Sequence, residues 1–368
     1  MPSTPAPGQV LDRVRRDVER NVLRTRNGIR MLTGIDRPAV GLTPKDVVWR
    51  KGRSELWRYR SDQVALYPPL LLIFSLVSRS YILDLTPDNS FIRQLLAAGF
   101  DVYLLDWGVP DERDAGNTLE DYADGYIPAA IEEVCRRSGV DEVSMIGYCF
   151  GGILALLHAA HHPESPVRSL TAMATPVDFR CMGPLVDIVR SGDLDPLSVL
   201  SDDGNVPASV IQQGFRTQHP TADVTRYVTL WERLWSDEYV AAYQAMTRWS
   251  QNHIPFPGAA FLQTAGMLVR DNGMVTDSLS LGGDRVHLGD VRCPFLSVVA
   301  ERDNIVPLPA AAPLIELVGA TDKQELRLPA GHIGLVVGRT ASRTTVPTII
   351  DFLKRRSESV GVSRGALA

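Results

Sequence analysis

Three continuous apolar runs punctuate the first half of the chain: LLLIFSLV at 70–77, DVYLLDW at 101–107 and VSMIGY at 143–148. Runs of this length without polar alternation mark strands buried on both faces. Helically spaced segments separate them: SFIRQLLAAGF, closing at Gly99, the stretch 118–138, and 151–161, which starts at a glycine pair. Strand and helix in alternation predict a mostly parallel sheet with helices on both faces. Upstream, 11–32 sets Leu11, Val14, Val18, Val22, Leu23 and Ile29 near helical spacing and predicts an amphipathic helix. DVVWRKGRSELWRYRS predicts two short strands, 47–49 and 56–59, about a Lys-Gly turn. The rhythm breaks after Thr175-Pro176, where 177–290 becomes irregular, with helical pieces rich in Trp, Tyr and Gln. It resumes at CPFLSVVAERD (293–303) and ELRLPAGHIG (325–334), with a closing helix at 344–356. The expected plan is an N-terminal helix with short strands (1–62), a first half of the core (63–176), an inserted lid (177–290) and a second half (291–368).

Composition adds little until charge is divided along the chain. Residues 1–60 hold 14 Lys and Arg against 6 Asp and Glu, whereas the whole 368-residue chain has a net charge of −5. An arginine-rich start on an acidic body fits a solvated helix face, or docking to an acidic partner. No nucleic-acid motif accompanies it, so no nucleic-acid partner is expected. The N-terminus lacks the features of a secretory signal, and the apolar stretch near 64–77 is broken by Pro68 and Pro69 and too short to span a membrane. Cys135, Cys149, Cys181 and Cys293 are widely spaced. Neither a disulfide framework nor a metal-ligand spacing is indicated, which points to a cytoplasmic protein.

The chemistry concentrates where the third run ends, in Gly147-Tyr148-Cys149-Phe150-Gly151-Gly152. A Gly-x-Cys-x-Gly turn between a buried strand and a helix is a nucleophile elbow with sulfur in place of oxygen. The glycines allow a corner too tight for Cβ atoms, and the helix N-terminus favours thiolate. The Phe150 amide then supplies one half of an oxyanion hole, and the Val77 amide, on the loop after LLLIFSLV, the other half. Asp303 follows the buried strand of SVVAERDNIVP and His332 sits in LPAGHIG after the next. Nucleophile, acid and base in that chain order, each at a strand end, is the α/β-hydrolase arrangement. Asp106 and Asp290 also stand near strand ends but lack the spacing to precede the histidine strand. His158, His161 and His162 have only Glu164 close by in sequence and read as helix C-terminal residues that complement the helix dipole. No metal and no cofactor are expected. Sulfur on the elbow favours acyl transfer from thioester donors, since an acyl-cysteine keeps nearly all the group-transfer potential.

With TPKDVVW, LWRYRS, SYILDL, DVYLLDWG, GYCFGG, FLSVVAERDNIVP and AGHIGLVVGR in place, the chain resembles the catalytic subunit of a polyhydroxyalkanoate synthase, nearest the short two-subunit type (class III), from about Arg26 to Leu353. The resemblance implies an α/β-hydrolase fold with a lid and polymerisation of (R)-3-hydroxyacyl-CoA into polyester granules with release of CoA. It implies Cys149 as nucleophile, His332 as its activator and Asp303 as an aid to the attacking hydroxyl. The implied partners are the acyl-CoA, the growing polyester, a second synthase subunit or a second copy of the chain, and the granule surface. The other readings are a Cys-dependent hydrolase of thioesters, lactones or the polyester, and a non-catalytic granule-associated homologue.

Overall fold

The computed structural model describes residues 7–33, 39–217 and 230–359. Helix α1 spans Pro7–Thr33, and strands β1 (Lys45–Lys51) and β2 (Ser54–Tyr59) pair as an antiparallel hairpin. Next come β3 (Leu66–Ile73), α2 (Phe91–Ala97), β4 (Phe100–Asp106) and α3 (Ile127–Ser138). They are followed by β5 (Val143–Tyr148), α4 (Phe150–His161) and β6 (Val167–Met173). Helices α5 (Pro184–Ser191), α6 (Ala208–Thr217), α7 (Asp237–Ser250) and α8 (Gly258–Gln263) belong to the insertion. The chain then returns to β7 (Phe295–Ala300), β8 (Lys323–Leu328), α9 (Val346–Lys354) and β9 (Glu358–Ser359).

The sheet runs in the order β1-β2-β4-β3-β5-β6-β7-β8, with β9 pairing antiparallel to the start of β3. All neighbours from β4 to β8 are parallel, and β1 and β2 extend one edge in antiparallel fashion. Burial on both faces explains the continuous apolar runs. Leu70 and Leu72, Val102 and Leu104, and Ile146 and Tyr148 face one core; Leu71 and Ile73, Tyr103 and Leu105, and Met145 face the other. Each aliphatic side chain so buried contributes about 1.5–3 kcal/mol.

Two expectations need adjustment. The first apolar run is not one strand: β3 stops at Ile73, and Phe74, Ser75 and Leu76 leave the sheet while staying buried. There the Phe74 carbonyl accepts a hydrogen bond from Trp107 Nε1 at 2.8 Å instead of a ladder partner. Apolar continuity recorded burial, not extension. Helix α1 is amphipathic, yet Val18, Val22 and Ile29 point outward. Polar contacts tie it to the body: Asn27 donates to the Leu234 carbonyl at 2.8 Å, and Arg26 pairs with Asp237. Arg20 lies over the Trp235 ring. Some of the N-terminal arginines thus serve this chain's own insertion.

Of the expected lid, 177–290, residues 218–229 lie outside the described residues, and its Trp- and Tyr-rich helical piece ends in α7. Its helical end is pinned. Trp249 is buried and donates through Nε1 to the Arg79 carbonyl at 2.7 Å. By contrast, α5 and α6 contain no fully buried side chain.

Candidate active site

The turn from β5 into α4 has no room to spare. Cys149 sits at φ 56°, ψ −123°, a strained conformation for a residue with a side chain. A Cβ at Gly147 would stand 2.5 Å from Gly152 Cα, and one at Gly151 would press on the carbonyl oxygens of Ile73 and Phe74. The two glycines of the motif are therefore demanded by close backbone approach. The Cys149 amide donates to the Met173 carbonyl at 2.8 Å, which ties the turn to β6. Phe150 is the first residue of α4, where a helix leaves its N–H groups without intrahelical acceptors.

Asp303 and His332 come from the loops after β7 and β8 and meet beside this turn. His332 Nδ1 donates to Asp303 Oδ2 at 2.7 Å, and both side chains are almost wholly buried. The other carboxylate oxygen, Oδ1, accepts the amides of Ile305 and Val306, each at 2.8 Å. Burial alone would strip the proton from His332, but the charges of Asp303 and Cys149 on its two sides outweigh it and raise its pKa to about 10. Cys149, His332 and Asp303, distant in sequence, thus form one electrostatic unit. Tyr148, whose role the sequence did not suggest, supports it: its hydroxyl donates to the His332 carbonyl at 3.3 Å, and the two rings lie 5.1 Å apart. A residue between glycine and nucleophile carries no signal for such a contact.

Cys149 opens on an apolar cavity of about 280 Å³ between the sheet and the insertion. Val77 and Phe150 border it with Cys149, and Phe256 and Phe261 close one side. Phe150 meets Phe256 edge to face at 5.2 Å. The Val77 carbonyl accepts a hydrogen bond from His253 Nδ1 at 3.2 Å, which fixes the loop after β3 against the insertion. Asp106, at the end of β4, is not part of this group; it accepts from Ser80 and from the Gly108 amide.

The histidines at the far end of α4 differ from expectation. His158 is buried between the Ala123 carbonyl and the Ser165 hydroxyl, and burial lowers its pKa to about 4. It is neutral and cannot complement the helix dipole as a cation. Nor is Glu164 the only carboxylate nearby: Asp124 Oδ1 lies 3.0 Å from His161 Nδ1 and 2.9 Å from His162 Nε2. Asp124 belongs to a π-helical turn, Asp121–Tyr126, far away in sequence.

Among the described residues, no helix is long and apolar enough to cross a membrane, and all four cysteines are free. Two family models match: the alpha/beta hydrolase fold over residues 68–199 and the Poly-beta-hydroxybutyrate polymerase (PhaC) N-terminus over 13–95. Among solved structures, epoxide hydrolase A of Mycobacterium thermoresistibile is 17% identical with TM-score 0.52, covering 86% of this chain and 99% of its own. A thermophilic esterase of Thermogutta terrifontis is 15% identical with TM-score 0.50, covering 85% and 99%. These likenesses establish an α/β-hydrolase fold with an inserted subdomain. The chain is 34% identical to the poly(3-hydroxyalkanoate) polymerase subunit PhaC of Thiocystis violacea, over 90% of this chain and 93% of that one. It is 34% identical to the corresponding subunit of Haloferax mediterranei over 88% of this chain, spanning 66% of that longer protein. By sequence and fold together, the chain belongs to the PhaC family of poly(3-hydroxyalkanoate) polymerases.

Proposed function

We propose that this chain is an acyltransferase that polymerises (R)-3-hydroxyacyl-CoA into polyhydroxyalkanoate, holding the acyl group as a thioester on Cys149. The observation that carries the reading is Cys149, backed by the buried His332–Asp303 pair, in the wall of an apolar cavity. His332 holds the proton taken from Cys149, and in the first step Sγ attacks the thioester carbonyl carbon as the thiolate. The bond from that carbon to the CoA sulfur breaks, and the His332 proton follows the departing thiolate. The Phe150 and Val77 amides are the donors we assign to the developing oxyanion.

Acylation changes His332. The acylated sulfur carries no charge, so one of the two neighbours that held the imidazole proton is lost. Its proton affinity falls, and His332 becomes a base for the 3-hydroxyl of an incoming unit. That hydroxyl attacks the acyl-cysteine, the carbon–sulfur bond breaks, an ester forms, and the proton returns to Cys149. Both oxygens of Asp303 are engaged by His332, Ile305 and Val306. Asp303 therefore acts on the hydroxyl through His332, which modifies the direct role implied by resemblance. An apolar cavity suits this chemistry because it excludes the water that would hydrolyse the intermediate.

The names of the relatives describe subunits, which supports action with a second synthase subunit, or as a homodimer, at the surface of the growing granule. The test is CoA release and polyester formation from 3-hydroxybutyryl-CoA, with and without a candidate partner subunit. Cys149→Ala should lose both activities. CoA release without ester product would identify a thioesterase, and release undiminished in Cys149→Ala would remove the nucleophile.

A further inference from the structure

The cluster at the C-terminal end of α4 has no part in the acyl-transfer chemistry; along α4 it lies about 18 Å from Cys149, at 1.5 Å per residue. From it we propose a site for a divalent transition-metal ion, of which zinc is the best match, held by Asp124, His161 and His162. The donor atoms of the three side chains lie within 4.8 Å of one another. Both ring nitrogens converge on the same carboxylate oxygen, Asp124 Oδ1, at 3.0 and 2.9 Å. Tetrahedral zinc, with bonds of about 2.0–2.1 Å, sets neighbouring ligand atoms about 3.3 Å apart. The two nitrogen–oxygen distances need to open by only a few tenths of an ångström to admit it.

The donor set matches the ion. Two imidazoles and one carboxylate suit zinc and its neighbours in the first row, not calcium or magnesium, which take oxygen alone. The ligands are half-buried, so an ion can enter from solvent and keep a water as fourth ligand. Adjacent histidines on a regular helix diverge by about 100°. They meet here because the helix ends: His162 is the cap, off helical geometry at φ −126°, ψ 69°. On the other side, the π-helical turn brings Asp124 to the same point. Glu164, whose Oε1 lies 3.5 Å from His162 Nδ1, adds negative charge beside the site. The surroundings are also fixed. His158 is held by Ala123 and Ser165, and its ring lies 5.1 Å from that of His162.

A bound ion would fasten the far end of the nucleophile helix to the turn that opens α3. It would act as a staple and take no part in chemistry at Cys149. The experiment uses the untagged full-length chain carrying Cys149→Ala, so that the thiol beside His332 cannot bind metal, stripped with chelator and titrated with Zn²⁺ by calorimetry. Co²⁺ titration reports ligand number through its visible spectrum. The expected result is one equivalent bound, with the intense bands of tetrahedral cobalt. Zinc at about a hundredfold excess over its dissociation constant should raise Tm by about 3–5 °C. Asp124→Ala should weaken binding at least tenfold and abolish the shift. His162→Gln, at a more exposed position, should do the same and serves if Asp124→Ala does not fold. Absence of a bound equivalent, or equal binding by the parent and either variant, would overturn the site and leave a hydrogen-bonded His–Asp–His group. The proposed acyltransferase activity would be untouched by that outcome.

Discussion

The glycine at position 151 offers a sharp test of how the elbow is built. A Cβ there would stand 2.6 Å from the Phe74 carbonyl oxygen and closer still to that of Ile73. Comfortable carbon–oxygen contact begins near 3.3 Å, so Gly151→Ala must open the gap by about 0.7 Å at Phe74 and by more at Ile73. Neither oxygen can swing away as a side-chain end could. Ile73 closes the central strand β3, and the Phe74 carbonyl is held by Trp107. The start of α4 must move instead, carrying Cys149 and the Phe150 amide by up to about 1 Å. Displacement of that size costs about 10²-fold in rate, and the overpacking about 1–3 kcal/mol in stability. The assay is CoA release, iodoacetamide labelling of Cys149 and thermal melting, beside Gly266→Ala, where an added Cβ meets nothing within 4 Å. The control should keep its rate. Gly151→Ala with more than half of the parent rate and an unchanged Tm would refute the close-approach reasoning.

Asp303→Asn should slow acylation and transfer together, by about 10²–10⁴-fold, because it withdraws the charge that orients and protonates His332; single-turnover kinetics showing a full CoA burst with elongation alone impaired would restore a direct role for Asp303 at the hydroxyl. The His332 pKa is raised in the folded protein from about 6.5 to about 10. Its protonation therefore adds stability that is complete below about pH 6.5 and is lost as pH rises through about 10. The Tm gap between the parent and His332→Gln should accordingly narrow by several degrees from pH 7 to pH 10.5, and a constant gap would mean that His332 is not held protonated.

The legible parts of this molecule are those where one local constraint leaves one sequence mark. Double-sided burial marks the central strands, close backbone approach marks Gly147 and Gly151, and the strand-end positions of Asp303 and His332 follow from chain order. What escaped depends on contacts that sequence spacing does not encode. Asp124 meets His161 and His162 across 37 and 38 residues, through a π-helical turn with no signature in the apolar pattern. Tyr148 supports His332 across 184 residues through a backbone carbonyl, which any residue could offer. The end of β3 at Ile73 was hidden because Phe74 and Leu76 stay buried after leaving the sheet. The outward face of α1 was hidden because amphipathicity tells that a helix has two faces, not which one meets the body.

Helices α5 and α6 wall the cavity with Leu185, Val186, Val189, Val210, Ile211 and Phe215, yet bury no side chain fully. Their apolar faces look onto a space that the protein does not fill with its own atoms. Elements that bury no side chain fully lie toward the low end of local stability. An acyl chain of the proposed substrate would supply the missing neighbours, at about 0.8 kcal/mol for each methylene taken out of water. On that reading the nascent polymer would stand in the place of a core residue, and the chain would be most completely folded while the proposed product is still attached.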